Sequence, residues 1–250
     1  MTEADRSSPK IDIEVSELEL YFGDDYVINE KIKIHQPVVG EIVTCEREYF
    51  SMVHTLSAIS SDMKSQLFDM GLDWCEVGDF ELFMMLAPTL SKDRTQLLFG
   101  DLDFSKLKPF RSTQNGNIVL ADRESGFLID EMIYLRIVNY LRKLHHITPK
   151  VEKTKSKTVK KWLIEEDRNK IKAAQNKPFK SYLLPIISSI KVKQGYTKDY
   201  VRNMGFYELM DEVERLNVIN NADHLLHGMY SGMINTKNIK KEELNWMKEL

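Results

Sequence analysis

The sequence predicts an α+β N-terminal domain of mixed hairpins and helices followed by an all-helical C-terminal domain. Three observations carry that expectation. Apolar residues alternate with period two only in the first half, around 26–34 and 117–129, as half-buried strands require. Elsewhere they recur at three, four and seven, the spacing of one helix face. Between Lys150 and Lys161 stand six lysines and one Glu, with little to bury and Pro149 in front. That break divides the chain into 1–149, a lysine-rich linker 150–158 and a helical domain 159–250.

The elements follow in order. Residues 1–10 read as a frayed tail. Ile11, Ile13 and Val15 alternate with acids, and Leu18 and Leu20 continue after a phase shift, so 11–20 reads as a strand. Gly23-Asp24-Asp25 is a turn signal, and the return strand through Ile32 and Ile34 completes an antiparallel hairpin with one wet face. From Val39 the period becomes helical through Leu56, with Pro37 just upstream. Ser61 opens a helix to Met70, with Gly71 as a left-handed cap. Asp79–Ala87 is a short buried helix stopped by Pro88, and Ser91 caps another through Leu98 with Gly100 after it.

Residues 104–110 fit neither period. A second hairpin follows, introduced by Asn115-Gly116, with 117–121 and 126–129 joined by a turn at Asp122–Ser125. Asp130 caps an amphipathic helix to His145. Beyond the linker the sequence predicts helices over 159–174, 178–192 with Pro178 in the first turn, 197–204, 206–229, and 239–247 capped by Thr236.

Composition narrows the function classes. The chain has 250 residues, 42% hydrophobic and 29% charged, which excludes collagen-like, wholly disordered and disulfide-scaffold proteins. Lys plus Arg total 35 against 38 Asp plus Glu, a formal charge of -3, so the whole surface is not built for DNA. Cys45 and Cys75 form no metal-ligand pair and fit a reducing compartment. The opening MTEADRSSPK lacks the apolar middle of a signal peptide, and no run approaches ~18 apolar residues, so a cytoplasmic site and no membrane are expected.

No constellation of catalytic residues stands out. His145, His146, His224 and His227 lack a Cys or carboxylate at ligand spacing, which argues against zinc. Neither cysteine has an activating base nearby in sequence, and there is no G-x-S-x-G or glycine-rich phosphate loop. No catalytic residue, metal or cofactor is therefore expected. Lys153, Lys155, Lys157 and Lys160 are candidate contacts to an acidic partner or to phosphates, against the plainer reading of a solvated linker. The stretch 194–210 has the outline of a helix-turn-helix. Its second helix, however, offers Glu208, Asp211, Glu212 and Glu214, a face that phosphate would repel, so nucleic acid is disfavoured.

That same stretch carries a resemblance. The Thr-capped helix Thr197–Met204 leading into Phe206-Tyr-Glu-Leu-Met210, and the strand–proline–helix entry Ile32–Val43 with Glu41 shortly after Pro37, resemble tail and baseplate assembly chaperones of bacteriophages. Ser61–Leu67, Asp79–Leu86 and Ile239–Leu250 resemble proteins of phages and prophages of low-GC Gram-positive bacteria. The resemblance implies a non-enzymatic assembly factor that works through protein–protein contacts, chaperoning a tail subunit or tape-measure protein in the host-cell cytoplasm. Its partners would be phage tail, baseplate or tape-measure proteins, with self-association also open. Phe80, Phe83 and Met84, with Phe206, Leu209 and Met210, are the candidate contact residues, and core packing is the competing role for each. The alternative function is a structural component retained in the virion tail or baseplate, where exposed hairpin edges add strands to neighbours.

Overall fold

The computed structural model describes residues 15–112, 116–175, 177–232, 239–248 and 250. It is a mixed α+β N-terminal region followed by a helical C-terminal region, with two small antiparallel sheets.

The described residues open with a helix where a strand was expected. In α1 (Glu17–Phe22) the Ser16 hydroxyl accepts from the Glu19 N–H at 3.3 Å, and Gly23 closes the turn at φ 81°. Glu17 and Glu19 sit at the positive end of the helix dipole, and only Leu20 turns inward, so the apparent alternation had no buried face to serve. Residues 11–14 of the expected strand, like the frayed tail, lie outside the described residues. The hairpin forms instead within 26–34, from β1 (Tyr26–Val27) and β2 (Lys33–Ile34), with Tyr26 opposite Ile34. Its turn is an Asx type, the Asn29 side chain accepting from the Lys31 and Ile32 N–H groups.

The helix expected over Val39–Leu56 is two, α2 (Val39–Val43) and α3 (Glu46–Ser57). The break falls at Thr44, whose hydroxyl donates back to the Glu41 carbonyl at 2.7 Å, and at Cys45, which leaves helical dihedrals at φ −142°. After a 3₁₀ turn at Ser60–Asp62, α4 (Lys64–Asp69) ends before Gly71 at φ 77°. Next come α5 (Asp79–Leu86) and α6 (Lys92–Phe99), the latter followed by Gly100 at φ 57°. Ser91 holds the N-cap position of α6 without a side-chain bond.

The second sheet has three strands, β3 (Lys108–Arg111), β4 (Ile118–Asp122) and β5 (Phe127–Ile129), in that order. The expected hairpin is β4–β5. The unassigned 104–110 supplies a 3₁₀ turn and the edge strand β3, where Pro109 is tolerated because an edge leaves one side unpaired. Asn115 lies outside the described residues. In α7 (Glu131–Leu144) the Asp130 carboxylate accepts from the Ile133 N–H at 2.8 Å, as expected. Arg136 of α7 fastens the first hairpin by donating to the Ile28 carbonyl.

The segment 150–158 lies against the N-terminal half. The Trp74 indole donates to the Glu152 carbonyl at 3.0 Å, and the Glu152 N–H donates to the Ser61 hydroxyl at 2.9 Å. Then α8 (Lys157–Gln175) packs on α4, with the Ser65 hydroxyl donating to Asp167 at 2.6 Å and Arg168 paired to Asp69. The next helix, α9 (Leu183–Gln194), starts later than expected. Pro178 precedes it by several residues, and Pro185 stands in its first turn, where a missing N–H costs nothing. Its first turn is capped locally and from far away in sequence: the Ser181 hydroxyl accepts from the Leu184 N–H at 2.9 Å, and the Glu46 carboxylate of α3 accepts from the Leu183 N–H at 2.8 Å and from the Ser181 hydroxyl at 3.0 Å.

Thr197 caps α10 (Lys198–Asn203) through the Tyr200 N–H, and α11 (Phe206–Tyr230) follows after Gly205. Over the expected last helix, 239–247, only a 3₁₀ turn forms at Lys241–Leu244, and Thr236 lies outside the described residues. Four consecutive charges, Lys240 to Glu243, interrupt the apolar spacing between Ile239 and Leu244.

One apolar core takes in Ile42, Tyr49, Leu56 and Leu141 from the first half and Leu183, Ile190, Phe206 and Leu209 from the second. The halves are also joined by backbone. Val38 bridges Gly205, the Val39 N–H donates to the Met204 carbonyl at 2.9 Å, and the Phe206 N–H donates to the Pro37 carbonyl at 3.2 Å. A smaller cluster around Trp74, Leu67 and Leu82 receives Ile164 of α8.

Candidate functional site

Two concave surfaces stand out. The larger, about 1210 Å³, lies between α2, α6 and α10. It sets Glu41, Glu48, Asp93 and Asp101 among Lys92, Arg94 and Arg202, charges of both signs with no large apolar anchor. The other, about 610 Å³, lies between α3, the 145–150 segment and the approach to α9. Its walls are Phe50, Val53, Phe179, Tyr182 and Phe206, the apolar lining with few polar groups that binding pockets favour.

The aromatic pocket is built by the contact between halves. The Glu46 cap holds the start of α9 against α3, which brings Tyr182 edge-on to Phe50 at 5.3 Å between ring centres. Phe50 in turn meets Phe206 at 5.9 Å, and Phe206 meets His145 at 5.1 Å. Phe206 is buried, whereas Phe179 and Tyr182 remain 55% and 48% exposed. Phe179 and Tyr182 thus leave apolar surface in water at the cavity mouth.

His145 forms part of the floor. Its Nδ1–H donates to the Leu141 carbonyl at 2.7 Å, which leaves Nε2 to accept from the Tyr49 hydroxyl at 2.7 Å. Burial pulls the imidazole down to about 4, and burial pushes the Tyr49 phenol well up. At neutral pH the floor is therefore uncharged.

The rim is charged. Glu46 serves as the α9 cap, and the Asp62 carboxylate accepts from the Ile59 N–H at 3.0 Å. Arg47 and His54 are exposed beside them, and Lys150, paired to Glu152, keeps 86% of its side chain exposed. The pocket also borders the basic part of the chain. Residues 150–202 hold 15 Lys plus Arg against 5 Asp plus Glu, although the whole chain is at -3.

Of the contact residues expected from sequence, Phe83, Phe206, Leu209 and Met210 are buried in the core. Phe80 and Met84 are partly buried and pack against it. Phe206 alone among the six also lines the aromatic pocket. Lys153, Lys155 and Lys157 are exposed, while Lys160 pairs with Asp73 and lies over the Trp74 ring at 5.7 Å. Sequence reasoning missed Phe50, Phe179 and Tyr182. The signal available was Phe179 and Tyr182 flanking lysine and serine in a segment too short and too polar to form its own core.

Other reactive side chains are held locally. The Cys45 thiol donates to the Glu41 carbonyl and the Cys75 thiol to that of Thr154. Among the described residues no three His, Cys, Asp or Glu side chains gather in an arrangement that could hold a metal ion. Nor is any described helix long and apolar enough to cross a membrane.

Comparison with known proteins gives one match. No curated protein and no solved structure matches the chain. Residues 174–250, which include Phe179, Tyr182 and Phe206 of the aromatic pocket, match the family model described as the YomV second domain, so this part of the chain is similar to a phage-type domain.

Proposed function

We propose that the protein is a non-enzymatic phage assembly factor acting through protein–protein contacts, which holds a tail subunit or tape-measure protein soluble before assembly. The observation that carries this reading is the aromatic pocket, with Phe179 and Tyr182 half exposed at its mouth and an uncharged floor. A pocket of this kind takes an apolar side chain from a partner, and aromatic anchors of this type dominate binding energy at protein interfaces. Its contact residues in the second half lie in the segment similar to a phage-type domain, which supports a partner from the same system.

Mass spectrometry of purified particles against lysate from the producing cells tests the reading. Abundance in the lysate with absence from particles is the expected result. Stoichiometric presence in particles would refute the chaperone role and favour a retained tail or baseplate component.

A further inference from the structure

We infer that the segment 151–157 and the start of α8 form a binding face for single-stranded nucleic acid, separate from the aromatic pocket. Lys153, Lys155, Lys157 and Lys161 meet its phosphates, and Trp162 stacks on a base. The segment is pinned along one side. The Glu152 N–H donates to the Ser61 hydroxyl at 2.9 Å, the Trp74 indole to the Glu152 carbonyl at 3.0 Å, and the Cys75 thiol to the Thr154 carbonyl at 3.5 Å. Glu152 and Thr154 are therefore half-buried while Val151, Lys153 and Lys155 are exposed, the alternation of an extended chain. Two residues of such a chain span about 6.6 Å, a repeat similar to that of successive phosphates along an extended strand. Lys157 opens α8 and Lys161 follows one turn later, both exposed, with Trp162 63% exposed beside them.

The positive charge there is in surplus after every nearby carboxylate is counted. Lys153, Lys155, Lys157 and Lys161 make no ion pair among the described residues, whereas Lys160 pairs with Asp73, and Lys64 and Lys150 share Glu152. Adding Asp62, next to Ser61, and Glu76, near Lys160, those seven lysines stand against four carboxylates. Farther along α8, Glu165, Glu166 and Asp167 offset Arg168, Lys170 and Lys172, so the surplus lies at the start of the helix. The acids that disfavour nucleic acid stand on α11, which packs on α1 and α9, whereas α8 packs on α4. Like charges fixed in a row repel one another, and a polyanion laid along them relieves that cost. A lipid surface calls for one continuous apolar helix face. The exposed side of α8 instead sets Val159 and Trp162 among Lys157, Lys161, Glu165, Asn169 and Lys172. An acidic peptide offers no base to the indole, and a duplex keeps its bases stacked inside.

The test titrates the full chain into fluorescent dT12 and U12, read by anisotropy, with a 12-base-pair duplex, a twelve-residue polyglutamate peptide and phosphatidylglycerol vesicles as competitors. Binding of either single strand is expected, and the tighter of the two identifies DNA or RNA. Four neutralised phosphates give a slope of log affinity against log salt of about −3, a roughly fiftyfold loss between about 50 and 200 mM. The variant K153Q/K155Q/K157Q should weaken binding more than about tenfold at low salt and flatten the slope to about −0.7. Trp162→Ala should weaken it about tenfold and leave the slope as it was. The control K108Q/K193Q/K198Q removes three exposed lysines of β3, α9 and α10 and should change neither quantity. All these residues are exposed, and an unchanged melting temperature verifies the fold of each variant. No binding of either single strand, an equal loss in the control, an unchanged slope in the lysine variant, or stronger competition by the duplex, the peptide or the vesicles than by unlabelled single strand overturns the inference.

Discussion

Replacing Trp74 by Phe tests whether the lysine-rich segment is held to the N-terminal half. The indole is 1% exposed, donates to the Glu152 carbonyl at 3.0 Å, and its ring underlies Lys160. Phenylalanine keeps an aromatic ring in the cluster with Leu67 and Leu82 but removes the donor and part of the volume. The Glu152 carbonyl retains one partner, the Ser61 hydroxyl at 3.2 Å, so the lost bond costs about 1 kcal/mol rather than a full desolvation penalty. The smaller ring adds about 1 kcal/mol for the space left behind. Together, about 2 kcal/mol off the local opening free energy raises the open population roughly thirtyfold. Trypsin reads that population, because Lys153, Lys155 and Lys157 lie in the segment that must come loose to enter the protease. Limited proteolysis followed by mass spectrometry should therefore give cleavage at 153–157 roughly thirtyfold faster in the variant than in the wild type, with the overall melting temperature only slightly lowered. Equal cleavage rates in the two proteins would refute the reasoning and return the segment to a solvated linker.

Three further outcomes follow from the same contacts. Glu46→Ala removes the distant cap of α9 and should cost about 1–2 kcal/mol, a drop of several degrees in melting temperature measured by circular dichroism. His145, held at about 4 when folded against 6.5 when free, binds fewer protons in the native state than in the unfolded one across that window. Its contribution therefore falls as pH drops from 6.5 towards 4, by about 2 kcal/mol at pH 5, and urea midpoints at pH 7 and pH 5 should differ less in His145→Asn than in the wild type. A fragment of residues 174–250 alone should keep some helix but melt without cooperativity, because Phe206, Leu209 and Leu183 lose the core partners supplied by α3 and α7.

The sequence made the local features legible where their cause was local. Asp130 before α7, Thr197 before α10, Gly71 and Gly100 after their helices, and the β4–β5 hairpin all depend on residues within a few positions. The misjudged places have either a distant cause or a local polar one that the apolar pattern masked. The start of α9 rests on Ser181 close by and on Glu46, which no window around Pro178 contains. The break between α2 and α3 turns on one threonine hydroxyl in an otherwise continuous apolar periodicity. At 15–22 the period-two pattern was too short to outweigh a serine cap and two acids in the first turn. The pocket was harder still to read, since Phe50, Phe179, Tyr182 and Phe206 come together only through tertiary contact. Phe206 stood out in the sequence because it opens an amphipathic helix, and that same feature sent most of it into the core.

The likeness to a phage-type domain covers residues 174–250, yet the pocket does not belong to that segment alone. Phe50, Val53 and Arg47 come from α3, and His145 from the end of α7. The matched segment is also fastened through backbone bonds from Pro37 and Val39 to Phe206 and Met204. A chain that carried the second domain beside a different first half would keep Phe179, Tyr182 and Phe206 but lose the facing wall and the charged rim. On the proposed function, specificity for a partner would reside in the first half, while the segment similar to a phage-type domain would contribute the apolar anchor points. Exchange of α3 rim residues should then change which partner binds, and exchange of Phe179 or Tyr182 should change how tightly any of them does.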